Sequence, residues 1–175
     1  ELTEEKSREL WVRQLSDDPD PIGRIRAAKA LAKNKTDANR RDLAQALASD
    51  KFWGVRAQIA ESLADLSGDI SRDGLLAGLK DPKAQVRREC VEGLAKFTGD
   101  DAARAAAKKL VQEADPSYRV ESAAISTYGK LAPNDAKQDL LVSLERKSPR
   151  ELLASAALRA LGSQDDPAVI ALISS

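Results

Sequence analysis

The chain has 175 residues, and its 28 Lys and Arg balance 28 Asp and Glu, so the formal net charge is zero. A dedicated nucleic-acid or membrane-surface protein ordinarily carries a basic excess, so both classes are disfavoured. The chain has no histidine, which excludes a histidine base, triad member or metal ligand, and a single cysteine cannot form an internal disulfide. Methionine is also absent, so we expect Glu1 to follow a cut or processing point in a longer protein.

Five blocks of similar sequence follow one another along the chain. The blocks start at Asp18, Asp50, Asp81, Asp115 and Ser148, and successive starts are 31 to 34 residues apart. The residues five, nine, ten and thirteen places after each start are apolar in nineteen of twenty cases, with Gly23 as the exception. This spacing predicts one buried stripe of an α-helix rather than a strand.

Each block start also carries a helix-start signal. Asp or Ser stands first, and Pro follows it in four of the five blocks. This order predicts an N-cap side chain with Pro at the first helical position. A looser apolar stripe precedes every block, so each repeat is predicted to be two antiparallel helices joined by a short turn.

The helices predicted in chain order form five pairs and a terminal half-repeat. The first helices are expected at 3–15, 38–48, 71–80, 101–113 and 134–146. The second helices are expected at 20–33, 52–66, 83–97, 117–131 and 150–162. The resulting units span 3–33, 38–66, 71–97, 101–131 and 134–162, with a half-unit at 167–174. The predicted fold is an all-α, right-handed α-solenoid of about five HEAT-like antiparallel helix pairs, forming a single domain over residues 1–175.

These repeats resemble HEAT repeats, and more closely their short bacterial form. In such repeats an Asp in the turn and an Arg six residues later can bridge neighbouring units. That resemblance implies a structural ladder of Asp18, Arg24, Asp50, Arg56, Asp81 and Arg87. The fourth repeat has Glu121 at the Arg position, so we expect the ladder to stop there, with Arg119 as the candidate substitute.

Three strings resemble a narrower family. Residues 24–31 (RIRAAKAL), 50–66 (DKFWGVRAQIAESLADL) and 115–131 (DPSYRVESAAISTYGKL) look like the C-terminal helical region of bacterial aminopeptidase-N-type zinc metallopeptidases. The resemblance implies a non-catalytic domain that packs on the parent's catalytic domain and helps enclose its peptide chamber. Zinc is then expected only in that missing domain, and no catalytic, cofactor-binding or metal-binding residue is assigned to this chain.

Aromatic and charged side chains supply the candidate interface. Trp53 and Tyr118 occupy equivalent positions three residues after a block start, and Phe52 adjoins Trp53. Each ring either covers the top of the adjacent helix pair or docks a partner domain. Trp11 lies in the first helix, either as the cap of the solenoid or on a surface that faces another domain. The candidate polar contacts on the concave face are Arg88, Glu92, Glu121 and Arg159.

Two other features have structural interpretations. Cys90 occupies a predicted core position and is expected to be a small buried side chain. Residues 22–41 hold seven bases against one acid. They are interpreted as a solvated helix face rather than a phosphate-binding patch, because the bases are confined to one repeat and its loop.

Two alternatives to the aminopeptidase reading remain from the sequence. One is a free-standing HEAT-repeat scaffold for protein interaction, resembling phycobilin-lyase repeat proteins. The other is a nucleic-acid-binding solenoid, which the charge balance disfavours. In either protein-binding reading the partner is the parent's catalytic domain or another protein. We expect no enzyme activity in this chain alone, no cofactor, no nucleic acid and no membrane partner.

Overall fold

The computed structural model describes residues 4–133 and 135–164, and this part of the chain contains helices and no strand. The α-helices are α1 (Glu4–Asp17), α2 (Pro21–Leu31), α3 (Asp37–Ser49), α4 (Trp53–Leu66), α5 (Asp69–Gly78), α6 (Ala84–Leu94), α7 (Asp101–Glu113), α8 (Tyr118–Leu131), α9 (Lys137–Leu144) and α10 (Leu152–Gly162). No helix within these ranges has both the length and the apolar character needed to cross a bilayer.

The chain divides into two compact units, Glu1–Lys96 and Phe97–Ser175. In the first unit α1 packs on α2, α3 on α4 and α5 on α6. The first helices α1, α3 and α5 form one layer, and the second helices α2, α4 and α6 form the other. In the second unit α7 packs on α8 and α9 on α10, with α7 beside α9 and α8 beside α10. The assignment of residues 1–175 to a single domain stays a prediction.

The buried stripe of the second helices forms the core of each unit. Nineteen of the twenty stripe positions are buried, including Gly23, and the exception is Leu158, which is 40% exposed. Gly23 is needed because a Cβ there would lie 1.9 Å from Asp18 Oδ2. The predicted all-α class and its HEAT-like helix pairs are therefore confirmed. The predicted half-unit at 167–174 lies outside the described residues.

The four predicted aspartate N-caps are wrong in position, because the turn Asp lies before the cap, whereas Ser148 does precede the 3-10 turn with Pro149 at its first position. Asp50, Asp81 and Asp115 each accept a hydrogen bond through Oδ1 from the N–H two residues later, at 2.8 Å. Asp18 accepts the same bond at 2.9 Å from Asp20, and Asp20 is the residue that caps α2. The aspartate side chain thus closes the turn ahead of the helix, and its second oxygen stays available for another donor.

The last helix pair departs most from the predicted boundaries. α9 covers Lys137–Leu144 instead of 134–146, and residue 134 lies outside the described chain. The segment Pro149–Glu151 is a 3-10 turn, so α10 starts at Leu152 rather than at 150. Arg150 and Glu151 have φ of 54° and 52°, and left-handed backbone cannot continue into a regular α-helix.

Candidate functional site

Two arginines bridge successive turns of the first unit. Arg24 donates to both carboxylate oxygens of Asp50, with Nε–Oδ2 of 2.7 Å and Nη2–Oδ1 of 3.0 Å. Its third nitrogen donates to the Asp18 carbonyl at 2.8 Å and to the Pro19 carbonyl at 3.3 Å. Arg24 is only 2% exposed, so its charge is paired with the Asp50 carboxylate inside the protein. The bridge therefore ties the first turn to the second.

The next repeat has the same geometry one step further along. Arg56 donates to Asp81 with Nε–Oδ2 of 2.6 Å and Nη2–Oδ1 of 3.0 Å, and to the Asp50 carbonyl at 2.7 Å. Arg87 begins a third step by donating to the Asp81 carbonyl at 2.8 Å. Each arginine thus holds its own turn by a carbonyl, and Arg24 and Arg56 also hold the next turn by a carboxylate.

The second unit reverses the charges of this arrangement. Glu121 stands at the repeat position of the arginine, and its side chain is buried. Arg146 donates to its Oε2, and the Asp115 N–H donates to its Oε1 at 3.3 Å. Arg119, the predicted substitute, is exposed. The assignment of Glu121 to a binding surface is also wrong, because its carboxylate is enclosed by these donors.

Hydrogen bonding sets the protonation of the bridge. Burial by itself raises the pKa of the Asp81 carboxyl, but hydrogen bonds from Arg56 and from the Lys83 N–H outweigh burial, so the pKa lies below its ordinary value. The hydrogen bond to Asp50 raises the pKa of Arg24 despite its burial, and the bond to Asp81 does the same for the pKa of Arg56. All three groups are charged across the physiological pH range.

The bridge predicts a specific acid sensitivity. An unfolded aspartate has a pKa of about 3.9. Folding lowers the pKa of Asp81 below this unfolded value. The charged Asp81 carboxylate therefore stabilises the fold fully above the unfolded pKa, and this stabilisation is lost as pH falls through the lower pKa of the folded state. In Arg56→Met, Asp81 stays buried and keeps the hydrogen bond from the Lys83 N–H but loses the bonds from Arg56, so folding lowers its pKa less. We therefore expect a smaller loss of unfolding free energy between about pH 6 and about pH 3 than in the wild type.

Urea unfolding at a series of pH values would measure this difference. The control is Arg13→Met, because Arg13 and Asp17 form an exposed pair with an Nε–Oδ2 distance of 3.8 Å. An exposed pair contributes little, so this variant should follow the wild-type pH dependence. An identical acid loss in the Arg56 variant and the wild type would contradict the prediction.

The candidate interface aromatics are partly exposed. Phe52 and Trp53 are each 39% exposed and lie against each other, with ring centroids 5.7 Å apart and planes tilted by 45°. Gly54 makes room for the Phe52 ring, since a Cβ there would lie 2.6 Å from Phe52 Cε1. Trp11 and Tyr118 are 37% and 44% exposed. Each of these rings is thus partly covered and partly exposed, so the two readings made from the sequence both stay open.

The outward-facing residues of α2, α4 and α6, with Lys33 and Lys96 just beyond the ends of α2 and α6, form a charged surface. We name it the second-helix face of the first unit. It consists of three rows at equivalent repeat positions, which lie eight, eleven and fifteen residues after each turn Asp. The rows are Arg26, Gln58 and Glu89; Lys29, Glu61 and Glu92; and Lys33, Asp65 and Lys96. The α2 end of this face is basic, and the α4 and α6 part is mainly acidic.

A groove separates the basic and acidic parts of this face. Its volume is about 260 Å³, and Lys29 and Lys33 line it opposite Glu61 and Asp65, with Ala32 and Ser62 also in its lining. Within the described chain neither lysine forms an ion pair. Between α4 and α6, by contrast, Lys96 donates to Asp65. Lys29 and Lys33 therefore remain available to a ligand, and across the groove Glu61 accepts a hydrogen bond from Gln58 on its own helix.

The predicted polar contacts on the second helices have different environments. Arg88 donates to Glu89 at 2.6 Å and lies 3.6 Å from Glu92 Oε1. Burial and the Glu89 carboxylate raise the pKa of Glu92, against the opposing effect of Arg88. Arg159 is exposed on α10 in the second unit. Lys29, Glu61 and Arg146 were not among the contact residues predicted from the sequence. An alignment of the repeats places Lys29 and Glu61 at the same repeat position as Glu92.

The described residues offer little for covalent or metal chemistry. Cys90 is fully buried, and burial raises the pKa of its thiol to about 12, so it is a packed thiol as predicted. No group of three or more acids or cysteines in the described chain is placed to hold a metal ion.

Two arginines of the basic segment 22–41 have structural partners. Arg24 is buried in the bridge, and Arg40 donates to the Leu66 and Ser67 carbonyls at the end of α4. Both arginines therefore stabilise contacts within the protein.

Comparison with known proteins agrees with this architecture. A family model described as HEAT repeats matches residues 9–95 and 72–162. A chain in the complex of CpcE and CpcF of phycocyanin lyase from Nostoc sp. PCC7120 superposes with a TM-score of 0.71 and 25% identity, covering 98% of this chain and 69% of that one. The crystal structure of an engineered protein has a TM-score of 0.56 at 18% identity, covering 90% and 79%. Comparison with curated proteins gave no significant match.

These comparisons overturn the narrower resemblance drawn from the sequence. The matched family is HEAT repeats as a class, and the structural likeness is to a phycocyanin-lyase complex rather than to an aminopeptidase. The expected roles as a zinc-aminopeptidase domain and as a wall of its peptide chamber are therefore wrong. The strings FWGVR and RIRAAKAL reflect general demands of the repeat, namely a turn, a bridging arginine and a small-residue helix contact.

Proposed function

Because this chain belongs to the HEAT-repeat family, we propose that it is a protein-interaction scaffold whose binding surface is the second-helix face of the first unit. The observation that carries the proposal is the set of charged side chains on that face, where Arg26, Lys29 and Lys33 are exposed and form no ion pair within the described chain. Charged rows of this kind favour electrostatic steering and selection of a protein partner.

Catalysis by the chain alone is not part of this proposal. A thiol nucleophile needs access and a lowered pKa, and the Cys90 thiol has neither. The partner that we propose is another protein rather than a nucleic acid, because the bases that form no ion pair lie on α2 or just beyond its end, while α4 presents Glu61 and Asp65. The remaining base of the face, Lys96, donates to Asp65. We assign no cofactor to the chain.

Two charge-neutral double variants test the location of the surface. Arg26→Glu with Glu92→Lys alters the second-helix face, and Glu9→Lys with Arg41→Glu alters exposed positions on the first helices α1 and α3. Proteins captured by the immobilised chain would be identified and purified, and Kd would be measured for all three chains. We expect about a tenfold weaker Kd for the first variant and little change for the second. Equal affinities would overturn the proposal.

A second candidate function is a subunit of a lyase that acts on a pigment protein. It is favoured by the 25% identity with a chain of the phycocyanin-lyase complex over nearly the whole of this chain. In that role the chain would contribute binding, because its thiol is buried. Size-exclusion chromatography of the purified chain with phycocyanin and its separated subunits would show co-elution if this candidate is right.

A further inference from the structure

The groove between α2 and α4 has opposite charges on its two walls. Lys29 on α2 and Lys33 just beyond its end form the basic wall, and Glu61 and Asp65 on α4 form the acidic wall. Lys29 and Glu61 hold equivalent repeat positions, yet they do not form an ion pair. Asp65 is held from the far side by Lys96, which leaves Lys33 without a carboxylate.

The spacing along each wall matches that of an extended chain. On α4, Glu61 and Asp65 repeat the acidic charge at i and i+4, which is about 6 Å along the helix axis. Lys33 follows Lys29 at the same sequence interval, in the turn directly after α2. Alternate side chains of an extended segment are about 6.6 Å apart and point to opposite sides. Acidic side chains on one side of such a segment would meet the lysines, and basic side chains on the other would meet the carboxylates. A groove of about 260 Å³ has room for a short stretch of extended backbone between its walls.

We propose that the α2–α4 groove binds an extended protein segment in which acidic and basic residues alternate, a proposal that rests on the protein-binding function of this face. The acids of the segment lie along Lys29 and Lys33, and its bases lie along Glu61 and Asp65. A uniformly acidic or uniformly basic segment meets repulsion from one wall, so the groove selects against both. Neutral Ala32 and Ser62 contact the backbone of the segment between the walls.

Two synthetic octapeptides of identical composition test the charge order. One alternates Glu and Lys, and the other has four Glu followed by four Lys. Titration into the ¹⁵N-labelled full chain at low salt would give Kd from amide shifts, with Ala32 and Ser62 as reporters of the groove. We expect the alternating peptide to bind at least about fivefold more tightly than the block peptide, because only it places each charge against the opposite wall. Equal affinities, or no shift of either reporter at millimolar peptide, would overturn the proposal.

A charge reversal of one wall tests the two-wall geometry. Lys29→Glu with Lys33→Glu makes both walls acidic, so we expect loss of the preference for the alternating peptide and about tenfold tighter binding of octalysine. Lys35→Glu with Arg41→Glu makes the same change in net charge at exposed positions outside the groove lining and should leave the preference intact. If both variants behave alike, the groove is not the site. The two proposals can fail separately. If the alternating peptide shows no preference while Arg26→Glu with Glu92→Lys still weakens binding of the protein partner, the proposed function stands and the inference about the groove is wrong.

Discussion

Arg24→Met is expected to lower the free energy of unfolding by about 3–5 kcal/mol. Arg24 is buried and donates to both oxygens of Asp50, to the Asp18 carbonyl and to the Pro19 carbonyl. Methionine fills much of the same volume but leaves the Asp50 carboxylate and both carbonyls without the arginine donor. Urea unfolding followed by circular dichroism at neutral pH would measure the loss.

The same helix supplies a matched control for this substitution. Arg26 lies two residues away, is exposed and has no ion-pair partner in the described chain. Arg26→Met removes the same charge at the surface, so the change should stay within about 0.5 kcal/mol. Asp50→Asn, which can still accept the bond from the Phe52 N–H, should fall between the two. Equal stability of the Arg24 and Arg26 variants would show that the bridge contributes nothing measurable.

Gly129→Ala is expected to destabilise the second unit by about 1–3 kcal/mol. A Cβ on Gly129 would lie 2.7 Å from the Cβ of Ala160 and 3.5 Å from its Cα, so α8 and α10 would have to move apart. The higher helix propensity of alanine, about 1 kcal/mol, opposes this loss without removing the clash. The two helices approach each other closely because both contact residues are small.

Gly162→Ala is the control for the effect of helix propensity. Gly162 is the last residue of α10, and a Cβ there would meet nothing within 4 Å. The substitution should therefore be neutral or slightly stabilising in the same urea experiment. Restoring space with Gly129→Ala and Ala160→Gly together should recover part of the lost packing. Destabilisation of equal size at both glycines would contradict the steric explanation.

Repeat periodicity was sufficient to predict the fold class. The four apolar positions in each block have the spacing of a helix face. Because one apolar stripe precedes each turn and another follows it, each repeat had to be a pair of helices. The prediction failed locally at the turns, where Asp-Pro was assigned to an N-cap. In the first of them the cap is Asp20 and Pro21 opens α2, because Asp18 is occupied in closing the turn. Several polar residues in a row leave the identity of the cap undetermined until the backbone is known.

The resemblance to one peptidase family failed for a related reason. Similar strings arise wherever a repeat needs a tight turn, an arginine six residues after an aspartate and small residues between packed helices. Such strings report the shared architecture of HEAT-like repeats, and function has to be argued from a site. Glu121 shows the same limit, since a single acid on a predicted helix face gave no indication that Arg146 would enclose it.

By itself the sequence determined that this protein is a series of helix pairs with no histidine chemistry and with aspartates and arginines in register. Only the tertiary structure decided which turn each arginine reaches, that Glu121 and Arg146 replace the bridge in the second unit, and that Lys29 faces Glu61 across an open groove. The reason is physical. Helical periodicity depends on residues a few positions apart, whereas ion pairing depends on the distance between side chains that lie 25 to 32 residues apart in sequence.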